Sequence, residues 1–179
     1  MGKVVKGKAW KFGHDLDSDR DIFLFQYGKE RRTTGVPLEK LVRHIMEPVN
    51  PDFAIKVQKG DLLVAGRNFA QGKVHREGAE CLKMVGIAAV IADSVSARFF
   101  QHALYFGLPI LTGDGISEKI NQGDELKVDI ETGEIENLST GETFRANTAF
   151  PPGHPLFPIM EAGGQIAYVK NKVTGLKKA

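Results

Sequence analysis

The hydrophobic pattern changes its period several times along the chain, and each change marks an element. In "DLLVAG", "IAAVIAD" and "LPIL" the apolar residues run unbroken for a few positions, as in strands buried on both faces. Between them, "GAECLKMVG" and "SVSARFFQHALYFG" have helical spacing and close on Gly86 and Gly107, which suit a left-handed helix stop. Strand and helix alternate, the signature of parallel β-α-β units with right-handed crossovers. Upstream, "KVVKGKAWKF" alternates β-branched and aromatic residues with polar ones and predicts a first strand ending at Gly13. "PLEKLVRHIM" places Leu38, Leu41, Val42, Ile45 and Met46 on one face of an amphipathic helix, with Pro37 at its start and Pro48 beyond its end. His44 falls off that face and is expected to be exposed.

Beyond residue 112 the period drops to two. "DELKVDIETGEIENLSTGETFRA" sets Leu126, Val128 and Ile130 against Ile135 and carries the turn signals "ETGE" and "STGE", which predict an antiparallel hairpin or meander. "PLFPIMEAGG" reads as a late helix ending at a glycine pair, and "QIAYVKNK" as a final short element. Parallel units flanked by meanders predict one mixed α/β domain over residues 1–179, three-layered or barrel-like, with a basic, mobile tail from about 171.

Composition narrows the class. At 179 residues and 42% hydrophobic content the chain is long enough for one substantial core. Its 24 basic and 22 acidic residues leave a net charge of +2, so no overall field draws it to nucleic acid or membrane. The N-terminus lacks an apolar signal region, and no stretch approaches the roughly 18 apolar residues of a membrane span. One cysteine, Cys81, excludes an intrachain disulfide and any zinc or iron–sulfur site built from this chain's thiolates alone. A cytoplasmic location is expected. The loop "HDLDSDRD" holds four aspartates but lacks the glycine and closing glutamate of a calcium loop, so no metal site is expected.

The chemistry concentrates in "GRNFAQGKVHREGAE", which leaves a strand and enters a helix. Such a loop presents unpaired N–H groups and the positive end of a helix dipole to an anion. Gly66, Gly72 and Gly78 allow close backbone approach, while Lys73, His75 and Arg76 add charge, and an arginine can grip a carboxylate with two bonds. The bare pattern also fits solvated Lys and Arg with His75 capping the helix. It is no nucleotide loop: five residues rather than four separate Gly66 from Gly72, and Val74 stands where a magnesium-binding Ser or Thr belongs.

The segments "GKAWKFGHDLDSD", "PDFAIKVQKGDLLVAGRNF", "REGA", "GLPIL", "GDELKVDIETGEIENLSTGE" and "IMEAGG", in that order, resemble the small subunits of 3-isopropylmalate dehydratase (isopropylmalate isomerase) and homoaconitase. These are separately encoded swivel domains of the aconitase superfamily. The resemblance spans roughly residues 4 to 172. It implies a swivelling β/β/α domain of the aconitase C-terminal type that docks on a large subunit. That partner would carry a four-iron, four-sulfur cluster and complete the active site at the interface. This chain would hold no cofactor of its own, and Cys81 would belong to the core. An exposed docking face also makes a homo-oligomer reasonable for the isolated chain.

In that family the loop reads Gly-x-Gly-Ser-Ser-Arg-Glu-His-Ala, where one serine is the base and the other serine and the arginine bind carboxylate oxygens. Here Gly72 matches, and Arg76, Glu77 and Ala79 match with one extra residue before the arginine. Both serines are absent, and Gly78 replaces the histidine. Val74 cannot transfer a proton, so the base falls to His75 or Lys73. His75, immediately before Arg76, is the first choice, with Lys73 holding a second acidic group. The helix before "GLP", usually carrying asparagines in the family, has Tyr105 and Phe106, with His102 one turn earlier as an interface or packing residue. Arg31 and Arg32, in the specificity loop of "FLFQYGKERRTTG", are candidates for recognising the substrate side chain. Ser94, at a strand end, is expected to cap the next helix.

The resemblance thus implies the small subunit of a hydro-lyase that isomerises a small 2-hydroxy di- or tricarboxylate, as in leucine biosynthesis. The altered loop opens two alternatives: a different substrate such as an alkylmalate, or a non-catalytic paralogue serving as an anion-binding or assembly subunit.

Overall fold

The computed structural model describes residues 4–176 of the chain. Four parallel strands form its centre: β1 (Val4–Lys11), β2 (Leu62–Ala65), β3 (Ala89–Ala92) and β4 (Ile110–Thr112). A meander of β5 (Glu125–Asp129), β6 (Glu134–Asn137) and β7 (Thr143–Arg145) adds antiparallel to β1, and β8 (Asn147–Thr148) pairs antiparallel with β4. The strand order is β7-β6-β5-β1-β2-β3-β4-β8. The helices are α1 (Phe25–Thr34), α2 (Leu38–Leu41), α3 (Phe53–Lys56), α4 (Arg76–Met84), α5 (Ala97–Phe106), α6 (Phe157–Glu161) and α7 (Gln165–Leu176). Parallel β-α-β units and an antiparallel meander therefore form one mixed sheet, as the alternating periods predict.

Strands β2 and β3 are buried at every position because the sheet is covered on both faces. Their alternate side chains divide between two cores. Leu63, Ala65, Val90 and Ala92 pack with Leu82, Cys81, Phe99 and Phe69 of the helical side. Leu62, Val64, Ala89 and Ile91 pack with Leu126, Val128 and Ile135 of the meander and with Ile116 and Ile120. Burying each aliphatic side chain contributes about 1.5–3 kcal/mol, so both faces of the central strands stabilise the fold.

Four local expectations change. The segment 37–46 is not one amphipathic helix: α2 is a single turn, followed by a 3₁₀ turn at Val42–His44, after which Ile45 is extended. Met46 turns to φ +60° so that its N–H reaches the Ile22 carbonyl at 2.7 Å. Leu38, Leu41, Ile45 and Met46 are still all buried, so the apolar positions mark core contact and not helix period. His44 is not exposed on a helix; it stacks on Tyr27 with centroids 4.1 Å apart and pairs with Glu47 at 2.9 Å.

The stretch "FLFQYGKERRTTG" forms α1 and not a loop, ending at left-handed Gly35. It lacks an apolar stripe, which is why periodicity misses it. Ser96, not Ser94, caps α5, accepting the Phe99 N–H, while the Ser94 hydroxyl accepts from Asn68 N–H at 2.9 Å. At the C-terminus, α7 is helical to Leu176 and so takes in the first residues of the basic tail that begins at about 171. The rest of that tail lies outside the described residues.

Gly107 closes α5 at φ +65°, and a Cβ there would lie 2.2 Å from the Gly163 carbonyl carbon, so this turn also seats the glycine pair before α7. Gly107→Ala is expected to lower stability by about 2–4 kcal/mol, because backbone strain and a backbone collision add. Gly35→Ala, at φ +72° with nothing within 4 Å, is expected to cost about 1 kcal/mol. Urea titration followed by circular dichroism compares them; equal losses would show that the close approach is of no consequence.

Candidate functional site

The carboxyl ends of β1, β2 and β3 lie side by side, and the loops leaving them build the site. After β1 the chain runs alongside the loop after β2: Asp15 N–H donates to the Arg67 carbonyl at 2.8 Å, and Ser18 N–H to the Gln71 carbonyl at 2.9 Å. Gln71 N–H answers with a 2.9 Å bond to the Leu16 carbonyl. Side chains tighten the seam, Asn68 Nδ2 donating to Asp15 Oδ1 at 2.7 Å and Arg67 N–H to His14 Nδ1 at 2.9 Å. Gly72 is obligatory here: its φ is +78° and a Cβ would sit 2.4 Å from Asp17 Oδ2.

The four aspartates are thus fasteners. Asp17 caps a five-residue helical turn by accepting Asp19 and Arg20 N–H groups, and Asp21 Oδ2 accepts the Asp17 N–H at 2.7 Å. Asp19 Oδ1 lies 2.7 Å from His75 Nδ1.

An open cleft of about 480 Å³ follows, lined by Arg31 and Arg32 of α1, Val74, His75, Arg76 and Glu77 at the entry to α4, and Arg98 and His102 of α5. The two α1 arginines are engaged: Arg31 pairs with Glu80 at 3.0 Å and Arg32 with buried Glu77 at 3.2 Å. Arg76 and Arg98 have no ion-pair partner among the described residues. Each occupies the first turn of its helix, where a cation opposes the dipole by about 0.3–1 kcal/mol and an anion would relieve it. Burial pulls the His102 imidazole below the ordinary range, an effect that the nearby Val74 backbone partly opposes.

Of the sequence candidates, His75, Arg76, Arg31 and Arg32 meet at this cleft. Lys73 does not line it; its exposed ammonium stands 6.0 Å from the Phe25 ring centroid. Gly72 serves the seam and not the cleft. His75 occupies the N-cap position of α4 but makes no side-chain capping bond. Val74 turns toward the helical core. Gly78 packs its backbone on Ile22, whose Cγ2 would be 3.3 Å from a Cβ there, so no larger side chain fits without a shift.

Sequence reading missed Arg98 and Asp19. A signal for Arg98 existed: an unpaired cation in a first helical turn, after a strand parallel to β2, breaks the dipole rule where a ligand would explain it.

The chain offers no ligand set for a metal or cluster among the described residues. Cys81 is buried in the helical core, and desolvation pushes its thiol well above the ordinary range, which disfavours the thiolate a metal needs. Among the same residues no helix is long and apolar enough to cross a membrane.

The chain is 39% identical over 173 residues to the isopropylmalate/citramalate isomerase small subunit of Methanocaldococcus jannaschii, covering 97% of this chain and 98% of that one. It is 39% identical over 174 residues to the 3-isopropylmalate dehydratase small subunit of Aquifex aeolicus, with 97% and 98% coverage. To the methanogen homoaconitase small subunit of Methanothermobacter thermautotrophicus it is 34% identical over 177 residues, with 98% and 97% coverage. The crystal structure of 3-isopropylmalate dehydratase from Methanocaldococcus jannaschii superimposes with a TM-score of 0.84 at 32% identity, covering 98% of this chain and 99% of that chain. No protein-family model matches the chain.

Because burial disfavours its charged form, His102 is neutral at pH 7, and its contribution to stability is present there and lost as pH falls through its depressed value. A proton NMR titration is expected to place its midpoint below the free imidazole value of about 6.5, and added diacid to raise that midpoint. A midpoint insensitive to diacids would show that the cleft does not hold them.

Proposed function

The chain belongs to the family of 3-isopropylmalate dehydratase small subunits, and on that premise we propose that it is the anion-binding, proton-transferring half of a two-subunit hydro-lyase acting on a small 2-hydroxy di- or tricarboxylate. The observation that carries this reading is the cleft in which Arg76 and Arg98 converge with His75 and His102 beside two anion-attracting helix ends. A carboxylate held there by charge-assisted bonds, each about 1.5–3 kcal/mol, sets the acidic carbon proton beside a base on the same loop. His75 is the group we assign to remove it; Val74 at the neighbouring position has no proton-transfer chemistry.

The domain acts as an aconitase-type swivel domain closing this cleft on a large subunit. A four-iron, four-sulfur cluster on that subunit would supply Lewis-acid assistance to the departing hydroxyl; among the described residues this chain offers no ligand set for one. Catalysis is therefore a property of the pair, in the cytoplasm. Because the two family serines are missing, the substrate need not be 3-isopropylmalate: an alkylmalate relative fits the same clamp equally well.

Purification of the chain from its own cells without oxygen is expected to bring an iron-containing large subunit with it, and the complex is expected to hydrate or isomerise one of a panel of 2-hydroxy diacids. Arg76→Ala should lower kcat/KM about 10- to 100-fold, chiefly through KM, and His75→Ala should lower kcat about 100- to 10,000-fold. Diacid binding without turnover by the intact complex would select the non-catalytic anion-binding subunit instead. If Lys73→Ala and not His75→Ala abolishes turnover, the base is Lys73.

A further inference from the structure

His75 sits at an N-cap, yet its ring is not spent on the helix. A capping side chain there would stabilise α4 by about 1 kcal/mol, but no such bond is made. The ring instead turns Nδ1 toward Asp19 Oδ1, 2.7 Å away, across 56 residues of sequence. Both groups are largely enclosed, at 28% and 17% side-chain exposure. Phe25 closes over the ring with centroids 5.7 Å apart. Nε2 has no partner among the described residues, and His75 lines the cationic cleft.

The carboxylate itself is held by backbone geometry. Asp19 N–H is bonded to Asp17 Oδ1 at 2.9 Å, and Asp17 is locked against Gly72, so the acidic turn cannot drift from the loop it serves. The other charged or titratable groups around His75 are Arg31 and Arg32 of α1, Arg76 and Glu77 of α4, and Arg98 and His102 of α5. Of all these, Asp19 alone contacts a ring nitrogen of His75.

We propose that Asp19 is a positioning residue: it accepts the Nδ1 proton of His75 and so fixes the tautomer and direction in which Nε2 faces the cleft as the base. The inference rests on the hydro-lyase reading and extends it to a residue in the acidic loop. In dehydration, Nε2 takes the proton from the carbon beside the clamped carboxylate, and the C–H electron pair becomes the new C=C bond. The hydroxyl on the adjacent carbon leaves with its bonding pair and is released as water after taking a proton from solvent. The imidazolium returns its own proton to solvent, or to the same carbon in the reverse direction. A carboxylate on the far ring nitrogen stabilises that imidazolium and prevents the wrong tautomer.

Two measurements test this. In long-range proton–nitrogen NMR of the full chain near pH 7.5, with His75 assigned by its loss in His75→Ala, the ring is expected as the Nδ1–H tautomer. Asp19→Asn should convert it wholly or partly to Nε2–H. In the complex with the large subunit, Asp19→Asn should lower kcat about 100- to 10,000-fold with KM within threefold, and Asp19→Glu should recover at least tenfold of that loss.

An unchanged tautomer in a folded Asp19→Asn chain overturns the proposal, whatever happens to turnover. So does a switched tautomer with unchanged kcat in a complex that Arg76→Ala still impairs, and there the hydro-lyase reading survives. A dyad intact by NMR in a wild-type complex that turns over no hydroxy diacid overturns the functional reading itself, and with it the role given to Asp19.

Discussion

The site depends on one seam: the backbone after β1 pairs with the backbone after β2 beyond the ends of both strands. Gly66 N–H to the Gly13 carbonyl at 3.0 Å begins it, and the bonds linking Asp15, Ser18, Leu16, Arg67 and Gln71 continue it. The geometry is demanding. Asp15, Asn68 and Ala70 all adopt φ between +56° and +60°, and Gly72 reaches +78°. Non-glycine residues in this region cost about 1 kcal/mol or more each, and they persist because the surrounding bonds over-determine them. Ala70 is fully buried, so its strain is held by the core beneath it. Without this seam the acidic turn and the basic loop would be separate surface features; with it, Asp19 and His75 become neighbours.

Charge is distributed with the same economy. Four arginines line one cleft, a crowding that would be repulsive if all were bare. Arg31 and Arg32 are neutralised by Glu80 and Glu77, both on α4, which also ties α1 to the helix carrying Arg76. That leaves Arg76 and Arg98 facing solvent from two helix N-termini, where dipole and side-chain charge have the same sign. The protein retains this local instability at a place where an anionic ligand would offset it. The partly desolvated His102 adds a neutral imidazole to the same wall, so the cleft gains a hydrogen-bonding group without adding further positive charge.

Much of the architecture was legible because burial on two faces leaves an unmistakable trace. Unbroken apolar runs at Leu62–Ala65 and Ala89–Ala92 and the period-two run through Leu126, Val128 and Ile135 all became the expected strands. Legibility failed where a short segment is shaped by something distant. Ile45 and Met46 look helical by spacing but are drawn into the core by a bond to Ile22, and α1 has no stripe because its contacts are ion pairs and a ring stack. Ser94 and Ser96 are chemically equivalent caps, and only the β3–α5 turn decided between them.

For function, the sequence by itself determined the family, the candidate loop between β2 and α4 and the absence of serines there, because composition and order survive in one dimension. It also supplied Arg76 and His75 as candidates, since a charged loop between an apolar strand and a helix has a local reason to bind anions. Only the tertiary structure removed Lys73 and Gly72 from the cleft, added Arg98, and turned His75 away from its helix toward Asp19. The physical reason is that parallel strands bring together loops distant in sequence, so which ring nitrogen meets which carboxylate is set by strand register and seam geometry, not by any pattern of neighbours along the chain.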